Sequence, residues 1–235
     1  MKKSIKNLLV NCYYKSNYSR ALNAFNNAVP YRSFLPEERF DDFIKKYGKL
    51  PATPNQCYTI NGMNELADER LNLIKSKIHF QPESILEIGP GEGFVLKKFK
   101  EEGIKNAVGV DIKNNLHPEA INAGVEIVLT SAENMNTIPD KNFDLVVSWS
   151  TIEHIPDPKA VFLECLRILK PGGYLFLQFG PLYYSAWGYH HYTVLRCPYL
   201  HLLFPEYLIH QYAKKLYGES FQAYLPWTNG LPVDA

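Results

Sequence analysis

Apolar runs alternate with helix-like stretches through the middle of the chain. Between positions 84 and 179, five short runs are rich in β-branched and aromatic residues: SILEI, NAVGVDI, VEIVLT, FDLVVSW and YLFLQF. Runs of this length and composition predict strands. Strands that alternate with helices favour a parallel, doubly wound α/β sheet.

The spacing of apolar and polar positions also predicts three helices. The first is amphipathic and spans positions 61–78, where Met63, Leu66, Leu71, Ile74 and Ile78 recur at near-helical spacing. The second begins after Gly93 and can close at Gly103. The third has Asp157 as its N-cap and Pro158 at its first helical position. The stretch KPGG after it predicts a turn into the fifth strand.

These patterns divide the chain into three zones. Residues 1–80 predict a helical and irregular N-terminal cap, which Pro30, Pro36, Pro51 and Pro54 break into short pieces. Residues 81–180 predict the α/β core. Residues 181–235 are rich in tyrosine and histidine, with weak periodicity, and predict a substrate or lid region.

Composition excludes several classes of partner and location. The 25 basic and 24 acidic residues nearly cancel, so we expect no nucleic acid partner. The apolar run near the N-terminus is too short for a signal peptide, and no run reaches membrane-spanning length, so we expect no membrane association. The four cysteines form no Cys-x-x-Cys pair, which fits a reducing cytoplasm: Cys12, Cys57, Cys165 and Cys197.

A glycine-rich loop follows the first predicted strand. Gly89, Pro90, Gly91 and Gly93 lie within five residues, and glycine lets a ligand approach the backbone closely. A dinucleotide fingerprint G-x-G-x-x-G would place its third glycine one residue later, where Phe94 stands. The loop therefore predicts a ligand seat at the carboxyl end of the first strand, with NAD disfavoured.

With Glu87 two residues before it, this loop resembles E-x-G-x-G-x-G, motif I of class I S-adenosylmethionine-dependent methyltransferases. The resemblance implies a Rossmann-like core and S-adenosylmethionine as the cofactor, with its methionine portion at the glycine loop. Asp111 ends the second strand, where an acidic side chain can accept both hydroxyl hydrogens of an adenosine ribose. We include the adjacent Ile112 among the predicted cofactor contacts.

The next segment resembles the branch called methyltransferase type 11. Ala132 and Glu133 match its pattern, as do Phe143, Asp144 and His154, whereas Ser131 replaces the aspartate that often binds the adenine amino group. The branch places Trp149 and Ser150 at the methionine end of the cofactor. A core tryptophan and a helix-capping serine are alternative interpretations of these two residues. The resemblance covers about residues 65–180.

Histidines are the candidate catalytic residues. A hydroxyl acceptor loses a proton on methylation, and a histidine can accept it near neutral pH. His154 is the first candidate, although it could instead hold its loop by hydrogen bonds, and the pair His190 and His191 is the second. We expect a small-molecule or glycan acceptor. The following aromatic residues could stack on it or simply pack under a lid: Tyr183, Tyr184, Trp187, Tyr189 and Tyr192.

Two further expectations concern absent features. His190, His191, His201 and His210 lack the compact spacing of zinc ligands, so we expect no metal site. The family normally adds two strands after the fifth, for which FQAYLPW is only a weak candidate. Either the ending is irregular or these final strands are absent, in which case we expect the N-terminal zone, a partner chain or a homodimer to cover the sheet edge. The alternative functions are a non-catalytic binding or assembly module with the cofactor fold and, less favoured, an NAD(P)-dependent reductase.

Overall fold

Five parallel strands form one sheet in the part of the chain that the computed structural model describes, residues 34–48, 59–188, 190 and 195–218. Their order in the sheet is β3-β2-β1-β4-β5. This arrangement confirms the predicted parallel α/β fold, and all five apolar runs contain strands. The bounds are β1 Ser84–Ile88, β2 Asn106–Asp111, β3 Glu126–Leu129, β4 Phe143–Trp149 and β5 Leu169–Gln178.

The order in which the chain adds strands to the sheet reverses between β1 and β4: β2 and β3 lie on one side of β1, and β4 and β5 lie on the other. Strand β1 pairs with β2 on one side and with β4 on the other, in register from Ile85 opposite Leu145 to Ile88 opposite Ser148. The loops that leave β1 and β4 therefore diverge at the same edge of the sheet. Open α/β sheets bind ligands in the crevice at this switch point.

Helices precede the sheet, cover it and follow it. They are α1 Phe40–Tyr47, α2 Ile60–Lys77, α3 Phe94–Glu101, α4 Pro118–Asn122, α5 Pro158–Ile168, α6 Leu200–Leu203 and α7 Glu206–Tyr217, with 3-10 turns at Glu37–Arg39 and Ile152–His154. The predicted start of α5 is confirmed, because the backbone N–H of Ala160 donates to Asp157 Oδ1 at 3.0 Å.

Strand β5 begins earlier than the sequence predicts. Leu169 pairs with Phe143 and Tyr174 pairs with Leu145, so five residues along β5 match two along β4. The stretch KPGG forms the resulting bulge, with Gly172 at a φ of 82°. The predicted turn before the fifth strand is therefore wrong, because the extra residues are accommodated within the strand.

Apolar side chains fill both faces of the sheet. Ile85 belongs to a cluster with Ile74 of α2 and Phe99 of α3, whereas Leu86 belongs to a cluster with Cys165 and Ile168 of α5. Because both faces of the sheet are covered, all five residues of β1 are buried rather than every second one.

A third apolar cluster joins α1 to the C-terminal helices. Phe40 packs edge-on against Phe204, with ring centroids 5.1 Å apart. Ile44, Leu200 and Ile209 belong to the same cluster. The two described helices of the N-terminal zone thus serve different cores, because α2 packs on the sheet and α1 packs with residues 195–212.

Asp144 joins the amino ends of three strands. Its Oδ2 atom accepts hydrogen bonds from Glu83 N, Ser84 N and Ser84 Oγ, and its Oδ1 atom lies 2.8 Å from Lys170 Nζ. Burial opposes ionisation of this carboxyl, but the bonds from Lys170 and Ser84 outweigh it and lower its pKa. Asp144 therefore holds the sheet together at the edge opposite the switch point.

Arg167 anchors the segment that leads from β3 to β4. Its guanidinium donates to the carbonyls of Ile138 and Met135 and forms ion pairs with Asp140 and Glu164. Because Glu164 also accepts from Met135 N at 2.6 Å, both ends of the segment are bonded to α5.

Strand β5 lies at an edge of the described sheet. The described residues after it contain an isolated bridge at Arg196 but no further strand, and FQAYLPW lies outside the described residues. A partner chain or a homodimer at this edge stays a prediction. None of the described helices combines the length and the apolar character needed to cross a membrane.

Candidate functional site

A cavity of about 410 Å³ opens at the carboxyl ends of β1, β2 and β4. It lies at the switch point of the sheet and is bordered by four loops, which follow β1, β2, β3 and β4. Seven of the predicted site residues line it: Gly89, Asp111, Ile112, Ser131, Ala132, Glu133 and His154. The remaining lining residues are Ile88, Val110, Thr130, Thr151, Ile155 and Pro156.

The glycine loop joins the cavity to α3. Gly89 N donates to Val110 O at 2.8 Å, which holds the loop against β2. Gly93 has a φ of 82°, and a Cβ there would lie 2.4 Å from Leu116 Cδ2. Gly91 also has a positive φ, of 55°, but a Cβ there would meet nothing within 4 Å. Gly91 is thus bare backbone beside open space, whereas Gly93 is required by packing. Pro90, Gly91 and Gly93 adjoin Gly89 but do not line the cavity.

Asp111 lies half-buried at the end of β2. Its Oδ1 atom accepts from Lys113 N at 3.0 Å, which fixes the carboxylate and leaves Oδ2 to accept from a ligand. The neighbouring Ile112 is 74% exposed at the cavity rim. A carboxylate beside an exposed apolar side chain suits a ligand with a polar sugar and a flat base.

Ser131 and Glu133 form a small hydrogen-bond network on the cavity wall built by the loop after β3. Ser131 Oγ donates to Glu133 Oε2 at 2.9 Å and accepts from Glu133 N at 3.2 Å. Glu133 Oε1 accepts from Asp157 N at 2.8 Å, at the N-cap of α5. Glu133 therefore shapes the wall, and Ser131 has only its remaining lone pair to offer an adenine amino group.

Glu87, Trp149 and Ser150 lie outside the cavity lining. The side chain of Glu87 is only 1% exposed and faces α2. Burial raises its pKa to about 8, against the opposing effects of the Arg70 charge and the Leu96 N–H. Trp149 is buried among core residues, with the guanidinium of Arg70 5.0 Å from its ring centroid. This placement favours the alternative interpretation of Trp149 as a core residue.

Ser150 is exposed and has a φ of 49°. It does not cap the following 3-10 turn, because Thr151 occupies the position before Ile152. The alternative interpretation of Ser150 as a capping residue is therefore wrong. Thr151 was not among the predicted site residues, yet it lines the cavity and its Oγ1 atom donates to Trp149 O at 3.0 Å.

His154 and His190 lie together although 36 residues separate them in sequence. Their ring centroids are 5.1 Å apart, and His154 lines the cavity. His190 Nε2 donates to Pro181 O at 3.0 Å. Burial is the main cause that lowers the pKa of His190, and the His154 charge acts in the same direction, whereas the Pro181 hydrogen bond and the Glu153 charge raise the pKa. His191 lies outside the described residues.

The other described histidines of the C-terminal zone have separate partners. His201 Nε2 donates to Tyr183 O at 2.5 Å, and the two rings meet edge-on. His210 lies on α7, 3.6 Å from Glu206. Tyr183 also packs edge-on against Tyr184, so part of the aromatic set serves packing. Tyr189 and Tyr192 lie outside the described residues.

A family comparison matches the strands and loops that build this cavity. Residues 86–177 match the family model described as a methyltransferase domain. This match agrees with the resemblance of the segment to class I S-adenosylmethionine-dependent methyltransferases. The matched range begins inside β1 and ends inside β5, so the methyltransferase domain includes every residue that lines the cavity.

Relatives of the methyltransferase domain include ubiquinone biosynthesis O-methyltransferases. That of Pseudomonas aeruginosa (strain UCBPP-PA14) is 29% identical over 122 residues, which cover 49% of this chain and 52% of the relative. That of Xanthomonas oryzae pv. oryzae (strain PXO99A) is 27% identical over 140 residues, which cover 55% and 58%. The chain thus spans little more than half the length of these curated relatives.

A solved structure also resembles the chain. The PH0226 protein of Pyrococcus horikoshii OT3 is 22% identical, with a TM-score of 0.45 over 59% of this chain and 65% of its own.

Sequence reasoning missed two kinds of residue near the cavity of the methyltransferase domain. Thr151, Ile155 and Pro156 directly follow β4, and their position at a strand end was the available signal. Glu153 was also missed. It is buried beside His154, and its Oε1 atom accepts from Gly180 N at 3.0 Å. Its adjacency to His154 was the only sequence signal for it.

Proposed function

We propose that the chain is an S-adenosylmethionine-dependent O-methyltransferase that methylates a hydroxyl oxygen of a small-molecule or glycan acceptor. The cavity that gathers Gly89, Asp111 and His154 carries this proposal. Its volume of about 410 Å³ falls in the range of about 300–1,000 Å³ that is usual for small-molecule sites. The O-methyltransferase names of the curated relatives support an oxygen acceptor.

The residues around the cavity fit the parts of this cofactor. The open space at Gly91 admits a ligand close to the backbone, which suits the methionine portion. Asp111 Oδ2 can accept from a ribose hydroxyl, while Ile112 and Ala132 offer apolar contact to the adenine. Ser131 can accept from the adenine amino group through its remaining lone pair.

In the proposed reaction the protein mainly aligns the reactants and removes a proton. When bound, S-adenosylmethionine supplies a methyl group already activated on a sulfonium sulfur, so much of the catalysis is proximity. The acceptor hydroxyl loses its proton as its oxygen forms the new bond. His154 lies on the cavity wall and is the candidate to accept this proton. The aromatic residues Tyr184 and Trp187 follow β5 but do not line the cavity, so stacking of a ring-shaped acceptor on them stays a prediction from the sequence.

Calorimetric titration with S-adenosylmethionine and S-adenosylhomocysteine tests cofactor binding. We expect saturable binding of both ligands and none of NAD. Asp111→Ala should weaken binding by at least about tenfold, because a hydrogen bond to a charged group contributes about 1.5–3 kcal/mol. Gly91→Arg should abolish binding by filling the open space. Asp140→Asn is the matched control, since it removes an exposed carboxylate that pairs with Arg167 and does not line the cavity.

Turnover with a labelled methyl donor tests the reaction. His154→Gln should keep cofactor affinity but lower turnover on a hydroxyl acceptor by about 100-fold or more. Binding of the adenosyl ligands without methylation of any hydroxyl acceptor would favour the non-catalytic module. Binding of NAD(P) in their place would favour the reductase. Absence of binding to the intact chain would refute the proposed cofactor.

A further inference from the structure

Three side chains that can bind a metal meet beside the cavity. Glu153 and His154 lie on the 3-10 turn after β4, and His190 lies on the segment after β5. One carboxylate oxygen of Glu153 and one ring nitrogen of each histidine lie within 4.8 Å of one another. The fold thus joins two loops that leave adjacent strands.

Glu153 is unusual because its carboxylate is buried with incomplete hydrogen bonding. The residue is 3% exposed, and Oε1 accepts from Gly180 N. Its Oε2 atom is fully buried and has no hydrogen-bond partner among the residues that the structure describes. A buried carboxylate oxygen without a partner is costly, which is why such groups are normally paired or bind metals.

His190 has one ring nitrogen held by a hydrogen bond to the backbone, as metal-binding histidines usually do. Its Nε2–H donates to the carbonyl of Pro181, so in the neutral ring the lone pair resides on Nδ1. Metal ligands of this type almost always donate their other ring N–H to a carbonyl, a carboxylate or water. The φ of 58° at His190 shows that its backbone is held in a conformation that is uncommon for residues other than glycine.

We propose that Glu153, His154 and His190 form a binding site for a divalent transition metal ion, with zinc as the favoured ion. Two imidazoles and one carboxylate are the protein ligands of several catalytic zinc sites, which keep a fourth position open. Bonds of about 2.0–2.1 Å in a tetrahedron place ligand atoms about 3.3 Å apart. The three atoms are within 4.8 Å of one another, so shifts on the order of 1 Å in side chains complete the site.

The location of the site suggests its use, and this step rests on the proposed function. Because His154 lines the cavity, an ion bound to His154 would lie beside the space proposed for the reactants. A divalent ion lowers the pKa of a bound hydroxyl, as it does for water. With the ion bound, the hydroxyl proton leaves to solvent and His154 is a metal ligand, whereas in the metal-free chain His154 keeps the proton-accepting role proposed above. No electron transfer is required, which suits zinc.

Zinc titration of the chelator-treated, tag-free chain tests the site. We expect one zinc ion per chain at this site, and visible absorption typical of tetrahedral coordination when cobalt replaces zinc. Glu153→Gln and His190→Gln should each weaken zinc binding by at least about 100-fold and remove the cobalt spectrum. His210→Gln is the matched control, because it removes a histidine that lies on α7 and pairs with Glu206. It should leave zinc affinity unchanged.

A stability measurement distinguishes a variant that has lost zinc binding from one that fails to fold. Without metal, Glu153→Gln should be at least as stable as the wild type, because it removes a buried carboxylate. Zinc should raise the melting temperature of the wild type but not of Glu153→Gln. The inference is overturned if the wild type binds no zinc or if both variants bind zinc as tightly as the wild type. Titration of S-adenosylmethionine in the same samples separates this failure from failure of the proposed function.

Discussion

Glu87 gives the chain a pH-dependent stability that a single substitution should remove. Its carboxyl is buried beneath α2, and burial raises its pKa to about 8, although the Arg70 charge favours ionisation. In the unfolded chain the same group has its ordinary pKa of 4.5. Between these two values the folded protein holds a proton that the unfolded chain has released.

The sign and size of the effect follow from this difference. Because the folded state binds more protons, the free energy of unfolding falls as pH rises from about 4.5 to about 8. The slope is at most about 1.4 kcal/mol per pH unit, and over the whole window the loss is at most ~5 kcal/mol. The side chain introduced by Glu87→Gln does not ionise, so the free energy of unfolding of this variant does not show this decline with pH.

Urea unfolding of the wild type and Glu87→Gln at several pH values between 5 and 8 measures the effect. Subtracting one free energy of unfolding from the other cancels the contributions of all groups that titrate alike in both proteins. We expect the stability advantage of Glu87→Gln to grow steadily with pH. Glu69→Gln, an exposed change on α2, is the control for loss of an acidic group. A constant difference between wild type and Glu87→Gln across this range would show that Glu87 is ionised in the fold and would refute the reasoning.

Three further predictions concern stability and are checked by urea unfolding. Asp144→Ala should cost about 2–3 kcal/mol because it removes the acceptor for several donors, whereas Lys170→Met, which removes a partly exposed partner, should cost less than about 1 kcal/mol. Equal costs would contradict this assignment. Arg167→Lys should cost about 1–3 kcal/mol because lysine cannot reach all four partners, and Asp140→Asn should cost less than about 1 kcal/mol. Gly93→Ala should cost about 1–3 kcal/mol through its positive φ and the overlap with neighbouring side chains, so an unchanged stability would contradict the described loop.

The fold was largely predictable because each strand carries its own local signal. The runs SILEI and FDLVVSW match β1 and β4 residue for residue, and Asp157 caps α5 as its side chain predicts. The KPGG bulge was not predictable, because proline and glycine signal a turn whether or not the chain remains paired. Its pairing depends on β4, which is distant in sequence.

The candidate site was predictable only on the side where its residues follow strands directly. Gly89 and Asp111 both lie at the cavity because β1 and β2 are parallel and place their carboxyl ends side by side. Glu153 and His190 come together through the return of the chain after β5, which contains no periodic signal. Burial also changed the interpretation of Trp149, whose sequence context suits a cofactor contact and a core position equally.

Among the residues that match the methyltransferase pattern, position along a strand separates a structural role from a role in ligand binding. Asp144 lies near the amino end of β4 and bonds to Ser84 and Lys170, whereas Asp111 is the last residue of β2 and lines the cavity. In a parallel sheet these two ends lie on opposite edges, so the two carboxylates act independently. Asp144→Ala should therefore lower stability with little change in S-adenosylmethionine affinity, and Asp111→Ala should do the reverse. If either variant changed both quantities strongly, the separation of scaffold and site along the strands would be wrong.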